Sequence, residues 1–446
     1  MHLGIDFGTC YSSAALMLDG TFQAVKEPLK HGYSFPSSAF LTKQGNIVVG
    51  QAAENQYKLA PNRYCREFKR DFGCTVPYTL GGRGFLPEQL ILELLCTIKA
   101  EAEQMVNAPL STAVITVPAT YQSYKRELME QVATQAGFKS VALLEEPVAA
   151  ATYYARKQGG NQRLTKGNIL LIYDLGGGTF DASLIQKNSK GYDLLAQPVG
   201  DEQLGGVDFD RQIYQDLKAN CSKTLQALLN PRCSDTEALR AQLIVGDWCR
   251  NFKHQLSVVS EYEDLLPIGM SETYQLSQND FSEMIAPFLQ RTCQLSSQLV
   301  KNAGLDWDKV DQILMVGGSC RIPAVKKVLE ESFERPLVLV DDPELAVAYG
   351  SAIYEISRPT RKPERTLENN EVITIQPADI QLSNEPNQKN VIDGAKKQQM
   401  SKTSEDTLAG LVVVIIVVGI CVFVFQWPIW LAIIFVVVRL LYASNK

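Results

Sequence analysis

The chain has 446 residues, a length that allows two or three domains at roughly 150 residues each. Its 43 Lys and Arg residues are outnumbered by 49 Asp and Glu residues, and this net charge of −6 argues against a nucleic-acid-binding protein, which needs clustered cations to displace counterions from phosphates. Only three histidines are present and the ten cysteines include no Cys-x-x-Cys pair, so neither a zinc site nor a disulfide scaffold is supported.

Short apolar runs alternate with longer amphipathic segments over residues 1–357. The pattern predicts strands at 114–117, 141–144 and 169–173, a helix at 122–136 that Gly137 ends, and a helix at 148–156. Strands that alternate with helices are typical of an α/β domain with largely buried sheets.

A glycine-containing motif occurs twice. The first glycine turn is Asp-Phe-Gly-Thr at residues 6–9, and the second is Asp-Leu-Gly-Gly-Gly-Thr at residues 174–179. Each follows a short apolar strand and precedes another strand-like stretch, which predicts a β-hairpin. Glycines let backbone N–H groups approach phosphate oxygens, and the Asp carboxylates suit Mg²⁺ or its bound waters. One copy alone favours a plain tight hairpin with a polar tip, but two copies in matching contexts predict duplicated lobes that face a shared cleft.

A third glycine turn, at residues 316–323, follows a predicted strand at 312–315 and opens a predicted helix that ends near residue 332. Glycines at such a junction permit close approach of a ligand, and Arg321 can lie flat on an aromatic base. An ordinary strand-to-helix turn is the alternative.

The composition changes after residue 357. Residues 358–407 contain four prolines, eight basic and eight acidic side chains and no aromatic residue, which predicts a disordered linker. A short apolar run at 372–375 is at most a strand remnant. No charge interrupts residues 408–438, so we expect a membrane segment at 408–442.

The sequence is compatible with two topologies of this membrane segment. The segment forms either one long, kinked span or a helical hairpin that turns at Trp427 and Pro428, and the interfacial preference of tryptophan favours the hairpin. Lys396, Lys397 and Lys402 precede it, so the positive-inside rule predicts that the preceding domain faces the cytoplasm.

Several motifs together resemble the heat-shock-70 (DnaK-type) chaperone family. Besides the three glycine turns, they are Ile-Thr-Val-Pro-Ala at 115–119, Glu-Pro-Val-Ala-Ala-Ala at 146–151, Leu-Gly-Gly-Val-Asp-Phe-Asp at 204–210 and Ala-Val-Ala-Tyr-Gly at 346–350. The resemblance spans residues 2–357. It implies an α/β, actin-like (ribonuclease H-like) two-lobed ATPase fold, with residues 1–357 as the nucleotide-binding domain.

The resemblance also implies the site. Asp6 and Asp174 would hold hydrated Mg²⁺, and Lys69, Glu146, Thr179 and Asp181 would be the catalytic residues, with Glu146 and Asp181 positioning the attacking water. The residues implied to bind ATP or ADP are Gly8, Thr9, Cys10, Tyr11, Gly176, Gly177, Gly178, Gly205, Gly206, Arg250, Lys253, Ser257, Gly317, Gly318, Ser319, Arg321 and Glu344.

The sequence departs from the family in three places. Arg250 stands where many members carry a glutamate toward adenine, which predicts altered base discrimination, and His254 stands at a variable position. The basic residue implicated in J-protein docking is missing from residues 141–145, which argues against dependence on a J-protein. The family's interdomain linker and β-sandwich peptide-binding domain are not recognisable in the sequence. The predicted disordered linker at 358–407 and the membrane segment at 408–442 stand in their place.

Three functions are compatible with these features. The favoured one is a slow, Mg²⁺-dependent ATPase of the chaperone type, anchored to a membrane and served by a nucleotide-exchange factor or co-chaperone. A nucleotide-binding switch that recruits partners with little turnover is the main alternative. A sugar kinase of the same superfamily is disfavoured, because no acceptor-binding insertion is evident.

Overall fold

Two six-stranded sheets form the framework of the part of the chain that the structure describes. The structure is a computed structural model, and it describes residues 1–157, 164–230, 235–268 and 271–354, all within one compact unit, Met1–Gln381. The strands are β1 (Leu3–Asp6), β2 (Tyr11–Leu18), β3 (Thr21–Ala24), β4 (Ser34–Pro36), β5 (Ser38–Leu41), β6 (Ile47–Val49), β7 (Tyr64–Arg66), β8 (Tyr78–Leu80), β9 (Arg83–Phe85), β10 (Thr112–Val117), β11 (Ser140–Glu145), β12 (Ile169–Leu175), β13 (Phe180–Lys187), β14 (Tyr192–Leu194), β15 (Val199–Asp201), β16 (Glu261–Leu265), β17 (Thr273–Ser277), β18 (Gln312–Val316) and β19 (Leu337–Leu339). The helices are α1 (Gln51–Glu54), α2 (Pro87–Val106), α3 (Ser123–Gln135), α4 (Glu146–Lys157), α5 (Gly206–Asn220), α6 (Lys223–Leu228), α7 (Thr236–Leu256), α8 (Gln278–Asn302), α9 (Pro323–Phe333) and α10 (Ala346–Ile353).

The two sheets repeat one arrangement. The first has the order β11-β10-β1-β2-β3, with β4 also paired to β2, and β1 is parallel to β10 but antiparallel to β2. The second has the order β14-β13-β12-β18-β19, with β15 also paired to β13, and β12 is parallel to β18 but antiparallel to β13. Each of the first two glycine turns therefore joins two antiparallel strands, as predicted, and the duplicated α/β halves are confirmed.

Apolar cores lie on both sheets and between them. In lobe I, defined as the first sheet with α2, α3 and the intervening residues 38–86, residues such as Ile5, Phe68 and Leu94 are fully buried. In lobe II, defined as the second sheet with α5, α7, α8 and α9, Phe180 and Leu329 are equally buried. A third core joins Val114 of the first sheet and Leu170 of the second through α4 and α10. Helices α4 and α10 therefore form a central layer that connects the lobes.

The five elements predicted over residues 114–173 are all present, and their ends lie within two residues of the predictions. One of the two-residue differences is at the start of α4, which begins at Glu146 rather than at residue 148. A proline at the second helical position is tolerated because the first N–H groups of a helix have no intrahelical acceptor, and an acidic first residue favours the helix dipole.

Three predictions lie outside the described residues: the linker at 358–407, the apolar run at 372–375 and the membrane segment at 408–442. Over the described ranges, no helix combines the length and the apolar character that a membrane crossing requires. The first predicted domain, 1–357, is described as far as Tyr354.

Candidate functional site

A cleft of about 740 Å³ opens between the two lobes. Side chains and backbone from both hairpins and from α7 line it. The predicted site residues in this lining are Asp6, Gly8, Thr9, Cys10, Tyr11, Lys69, Glu146, Asp174, Gly176, Gly177, Gly178, Thr179, Gly206, Arg250, Lys253, Ser257, Gly317, Gly318, Ser319, Arg321 and Glu344. The fold therefore brings together residues that are widely separated in the sequence.

The first two glycine turns meet at the bottom of this cleft. A Cβ atom placed on Gly177 would lie 2.6 Å from Cys10 Sγ, and one on Gly178 would lie 2.3 Å from Thr9 Cγ2. Real side chains are never that close, so a larger residue at either position would push the turns apart. The close approach of lobe I, rather than an unusual backbone angle, therefore explains these two glycines.

The start of α5 holds the second turn from the other side. Gly205 packs so closely on Gly178 that an added Cβ would lie 2.6 Å from the Gly178 carbonyl carbon. The first two N–H groups of α5 donate to the carbonyls of Gly176 and Gly177 at 3.1 and 2.7 Å. The turn's carbonyls are thus fixed by protein contacts, and the planar peptide groups fix the N–H directions with them.

A buried ion pair connects lobe I to the central layer. Lys69 Nζ donates to Glu146 Oε1 at 2.9 Å, and the two side chains are only 8% and 9% exposed. Lys69 lies between β7 and β8, whereas Glu146 is the first residue of α4. Removing either partner would leave an unpaired buried charge, which is strongly unfavourable.

Three further carboxylates lie near this pair. Asp174 and Asp181 are direct cross-strand partners, so their side chains lie on the same face of the sheet. Burial, reinforced by the charge of Glu146, raises the pKa of Asp6 to about 7 and that of Asp181 to about 7. The same two causes raise the pKa of Asp174 well above its ordinary value. The positive charge of Lys69 opposes each of these shifts but does not cancel it. The carboxylates of Glu146 and the three aspartates therefore carry more negative charge than Lys69 offsets.

This excess of negative charge suits a divalent cation. Within the described ranges, no set of three or more His, Cys, Asp or Glu side chains is arranged to hold a metal ion by itself. Mg²⁺ commonly binds through one or two carboxylates, several waters and the phosphates of a substrate. The residues present therefore fit a hydrated Mg²⁺ beside Asp6 and Asp174 that shares its ligands with a nucleotide.

The mouth of the cleft contains cations that already have protein partners. Arg321 donates twice to the carboxylate of Glu344, at 2.8 and 3.0 Å, and this pair is about half exposed. Arg250 lies between the carboxylates of Asp210 and Asp247, each at 3.8 Å. An effect of Arg250 on base discrimination stays a prediction, since these carboxylates compete for its guanidinium.

The remaining predicted residues near α7 are anchored within the protein. Lys253 Nζ lies 2.7 Å from both the Gly206 carbonyl oxygen and Asp210 Oδ1. Ser257 donates to the Lys253 carbonyl at 3.0 Å, and Ser319 donates to the Gly176 carbonyl at 2.8 Å. These contacts fix the positions of Lys253, Ser257 and Ser319 in the cleft wall, and each of these groups keeps a further donor or acceptor position for a ligand.

Two predicted site residues do not line the cleft. Gly205 acts through its packing on Gly178, and Asp181 accepts a hydrogen bond from the Thr120 hydroxyl at 3.4 Å. The sequence analysis in turn missed several lining residues, some within the quoted motifs (Val207, Asp210, Val316, Ile322 and Val347) and the rest outside them. These are Lys30, His31, Gly32, Tyr33, Ser34, Val207, Asp210, His254, Val258, Val316, Ile322, Leu339, Pro343 and Val347.

Comparison with known proteins tests the family suggested by the motifs. The family model described as "Hsp70 protein" matches residues 74–414. The chaperone protein DnaK of Picrophilus torridus is 32% identical over 361 residues, which cover 79% of this chain and 57% of that protein. DnaK of Elusimicrobium minutum is 30% identical over 364 residues, which cover 79% of this chain and 56% of that protein. The chain thus spans little more than half the length of these curated relatives, and the matches show that it belongs to the Hsp70 family.

Proposed function

We propose that this protein binds ATP with Mg²⁺ and hydrolyses it slowly, as a membrane-anchored ATPase of the chaperone type. One observation carries the proposal: the buried Lys69–Glu146 pair shares a cleft with two glycine turns and with the carboxylates of Asp6 and Asp174. Membership of the Hsp70 family supports a chaperone-like role for this cleft.

The chain's own groups suit phosphoryl transfer to water, which depends on positioning and charge more than on covalent chemistry. Backbone N–H groups of residues 177–179 and the hydroxyl of Thr9 bind phosphate oxygens. The ammonium of Lys69 stabilises the charge that develops on the transferred group. Glu146 orients Lys69 and positions the attacking water, and Asp181, which does not itself line the cleft, acts beside it. The pKa of Asp181, raised to about 7, suits it to accept a proton near neutral pH.

Mg²⁺, when bound beside Asp6 and Asp174, would neutralise charge on the phosphate oxygens. Burial raises the pKa values of both aspartates even though Lys69 lies near them, so a further cation beside them would stabilise their charged forms.

Binding of nucleotide is expected to raise the melting temperature of the purified full chain. A ligand at ~100 times its dissociation constant that binds only the folded state adds about 2.7 kcal/mol to the free energy of unfolding. ATP or ADP with Mg²⁺ should therefore give a shift of several degrees in a thermal melt. Asp174→Asn is the matched variant and should lose the part of the shift that depends on Mg²⁺. An unchanged melting temperature at millimolar nucleotide would contradict the site assignment.

We further propose the organisation that the sequence suggests: a nucleotide-binding domain at 1–357, a linker at 358–407 and a membrane anchor at 408–442. The absence of charge over residues 408–438 supports the anchor, and the preceding lysines support a cytoplasmic ATPase domain. Nucleotide release would be assisted by an exchange factor or co-chaperone that separates the lobes.

Membrane anchoring and the hairpin topology make separate predictions. The protein should stay in the membrane pellet after carbonate extraction. In intact cells, the new thiol of a Ser444→Cys variant should be protected from an impermeant thiol reagent. Permeabilisation of the cells should make this thiol reactive. The parent chain, which has Ser444 and all its native cysteines including the exposed Cys74, gives the background labelling. Labelling in intact cells would establish a single span in place of the hairpin, and extraction by carbonate would contradict the anchor.

A further inference from the structure

We infer that Arg70 is a positioning residue, a cation from lobe I that holds the second glycine turn of lobe II in its phosphate-binding orientation. This inference rests on the proposed function and extends it to a residue that neither the motifs nor the comparisons assign. Arg70 directly follows Lys69, but its side chain reaches into the other lobe.

The contacts of Arg70 are short and shielded from water. Its Nη2 donates to the carbonyl oxygen of Gly178 at 2.6 Å and to Asp208 Oδ2 at 3.0 Å. The side chains of Arg70 and Asp208 are 14% and 8% exposed. Hydrogen bonds that involve a charged donor are stronger than neutral ones, and more so where water is excluded. One guanidinium thus joins lobe I, the second glycine turn and the start of α5.

Asp208 is itself held firmly, so the anchor of Arg70 is rigid. The Oδ2 atom of Asp208 accepts from the N–H of Gly205 at 2.9 Å, and its Oδ1 accepts from Arg211 at 2.6 Å. Gly205 in turn packs directly on Gly178. Both acceptors of Arg70 therefore belong to one tightly connected unit of lobe II.

The consequence for the cleft follows from peptide geometry. The carbonyl of Gly178 and the N–H of Thr179 belong to one planar trans peptide, so they point in opposite directions. Holding the carbonyl on Arg70 sets the direction of the Thr179 N–H, and Thr179 lines the cleft. Thr9 blocks the other side of Gly178, where an added Cβ would lie 2.3 Å from Thr9 Cγ2. Contacts from lobe I therefore preorganise this turn.

The same short segment also positions the catalytic lysine. Lys69 bonds to Glu146 in the central layer, whereas Arg70 bonds across the cleft to lobe II. Separation of the lobes must break the two bonds of Arg70. The Nε–H of Arg70 is buried and has no hydrogen-bond partner among the described residues, which is unfavourable for stability. A role in positioning explains why the arginine is held there despite this cost.

The test uses the full chain and three variants: Arg70→Ala, Arg70→Lys and Arg211→Ala. Arg211 is the matched control, because it donates to the same carboxylate from within α5 but is 55% exposed and does not cross the cleft. Single-turnover hydrolysis and the dissociation rate of a fluorescent ATP analogue are measured, with a thermal melt to confirm folding.

We expect Arg70→Ala to hydrolyse ATP about tenfold more slowly and to release the analogue faster, since a lost charged hydrogen bond has roughly this effect on a rate. Arg70→Lys should recover part of the rate, and Arg211→Ala should stay within about twofold of the parent. Equal effects of Arg70→Ala and Arg211→Ala, or parental rates in Arg70→Ala, would overturn the inference and leave the proposed function standing. A parent that binds ATP without hydrolysing it would overturn the proposed hydrolysis, and the dissociation rates would still decide the role of Arg70. A parent that does not bind nucleotide would overturn both.

Discussion

Lys69→Ala is expected to lower the single-turnover rate of ATP hydrolysis by about 10²-fold or more, with nucleotide binding largely retained. Removing one group that stabilises transition-state charge in a water-excluded site typically has this effect. Lys69 is 8% exposed and opposes the negative charge of Asp6, Asp174 and Asp181 as well as pairing with Glu146. Rapid mixing of the full chain with labelled ATP measures the rate.

Two further variants make this test decisive. Glu146→Ala removes the other partner and should reduce hydrolysis by a similar factor. Lys326→Ala removes a lysine from a Lys–Glu pair that is exposed on α9, with side chains 64% and 55% accessible, and should leave the rate unchanged. A parental rate in both Lys69→Ala and Glu146→Ala would show that the activity uses other residues or comes from a contaminant.

Gly350→Ala is expected to cause a large loss of stability, because α10 packs on α4 with no space for a side chain at this position. A Cβ on Gly350 would lie 1.8 Å from the carbonyl oxygen of Ala149, and backbone cannot move aside as a flexible side chain would. Overpacking of this kind costs about 1–3 kcal/mol, occasionally more. The change should lower the free energy of unfolding even though alanine is the better helix former by roughly 1 kcal/mol.

Chemical denaturation of the variant and the parent measures this difference. Gly191→Ala is the control, since an added Cβ there meets no neighbouring atom within 4 Å. An unchanged or increased free energy of unfolding for Gly350→Ala would mean that α4 and α10 are not in direct backbone contact. The connecting layer between the lobes would then need another description.

Much of the fold could be predicted because it depends on local patterns. Buried strands such as β10 and β12 appear in the sequence as short apolar runs, and the helix after β10 ends at a glycine with a positive φ of 88°. The two glycine turns indicate hairpins for the same reason, since backbone conformation at a turn depends on the residues in it. The start of α4 lies two residues before its predicted position, because a proline in the first helical turn can be read as a helix breaker.

The candidate site could be predicted where a motif contains its residues, or where the family resemblance assigns them, as for Lys69 and Arg250. The motifs contain Asp6, Asp174 and Glu146, and the cleft contains all three. The segment at residues 30–34 lines the same cleft without any local sign of it. Nothing in the neighbouring sequence marks a lining residue that lies outside a motif. Its place in the cleft depends on how the two lobes pack together.

The sequence by itself therefore determined the α/β alternation, the two hairpins, the family and the set of candidate phosphate-binding residues. Only the tertiary structure decided which side chains meet: Lys69 with Glu146 across 77 positions, Arg70 with Gly178 across 108, and Arg250 with two carboxylates instead of open solvent. The physical reason is that strands and turns follow from interactions between near neighbours in the chain. Ion pairs across a cleft instead depend on the packing of whole layers, which brings distant residues together and excludes the water that would otherwise weaken their attraction.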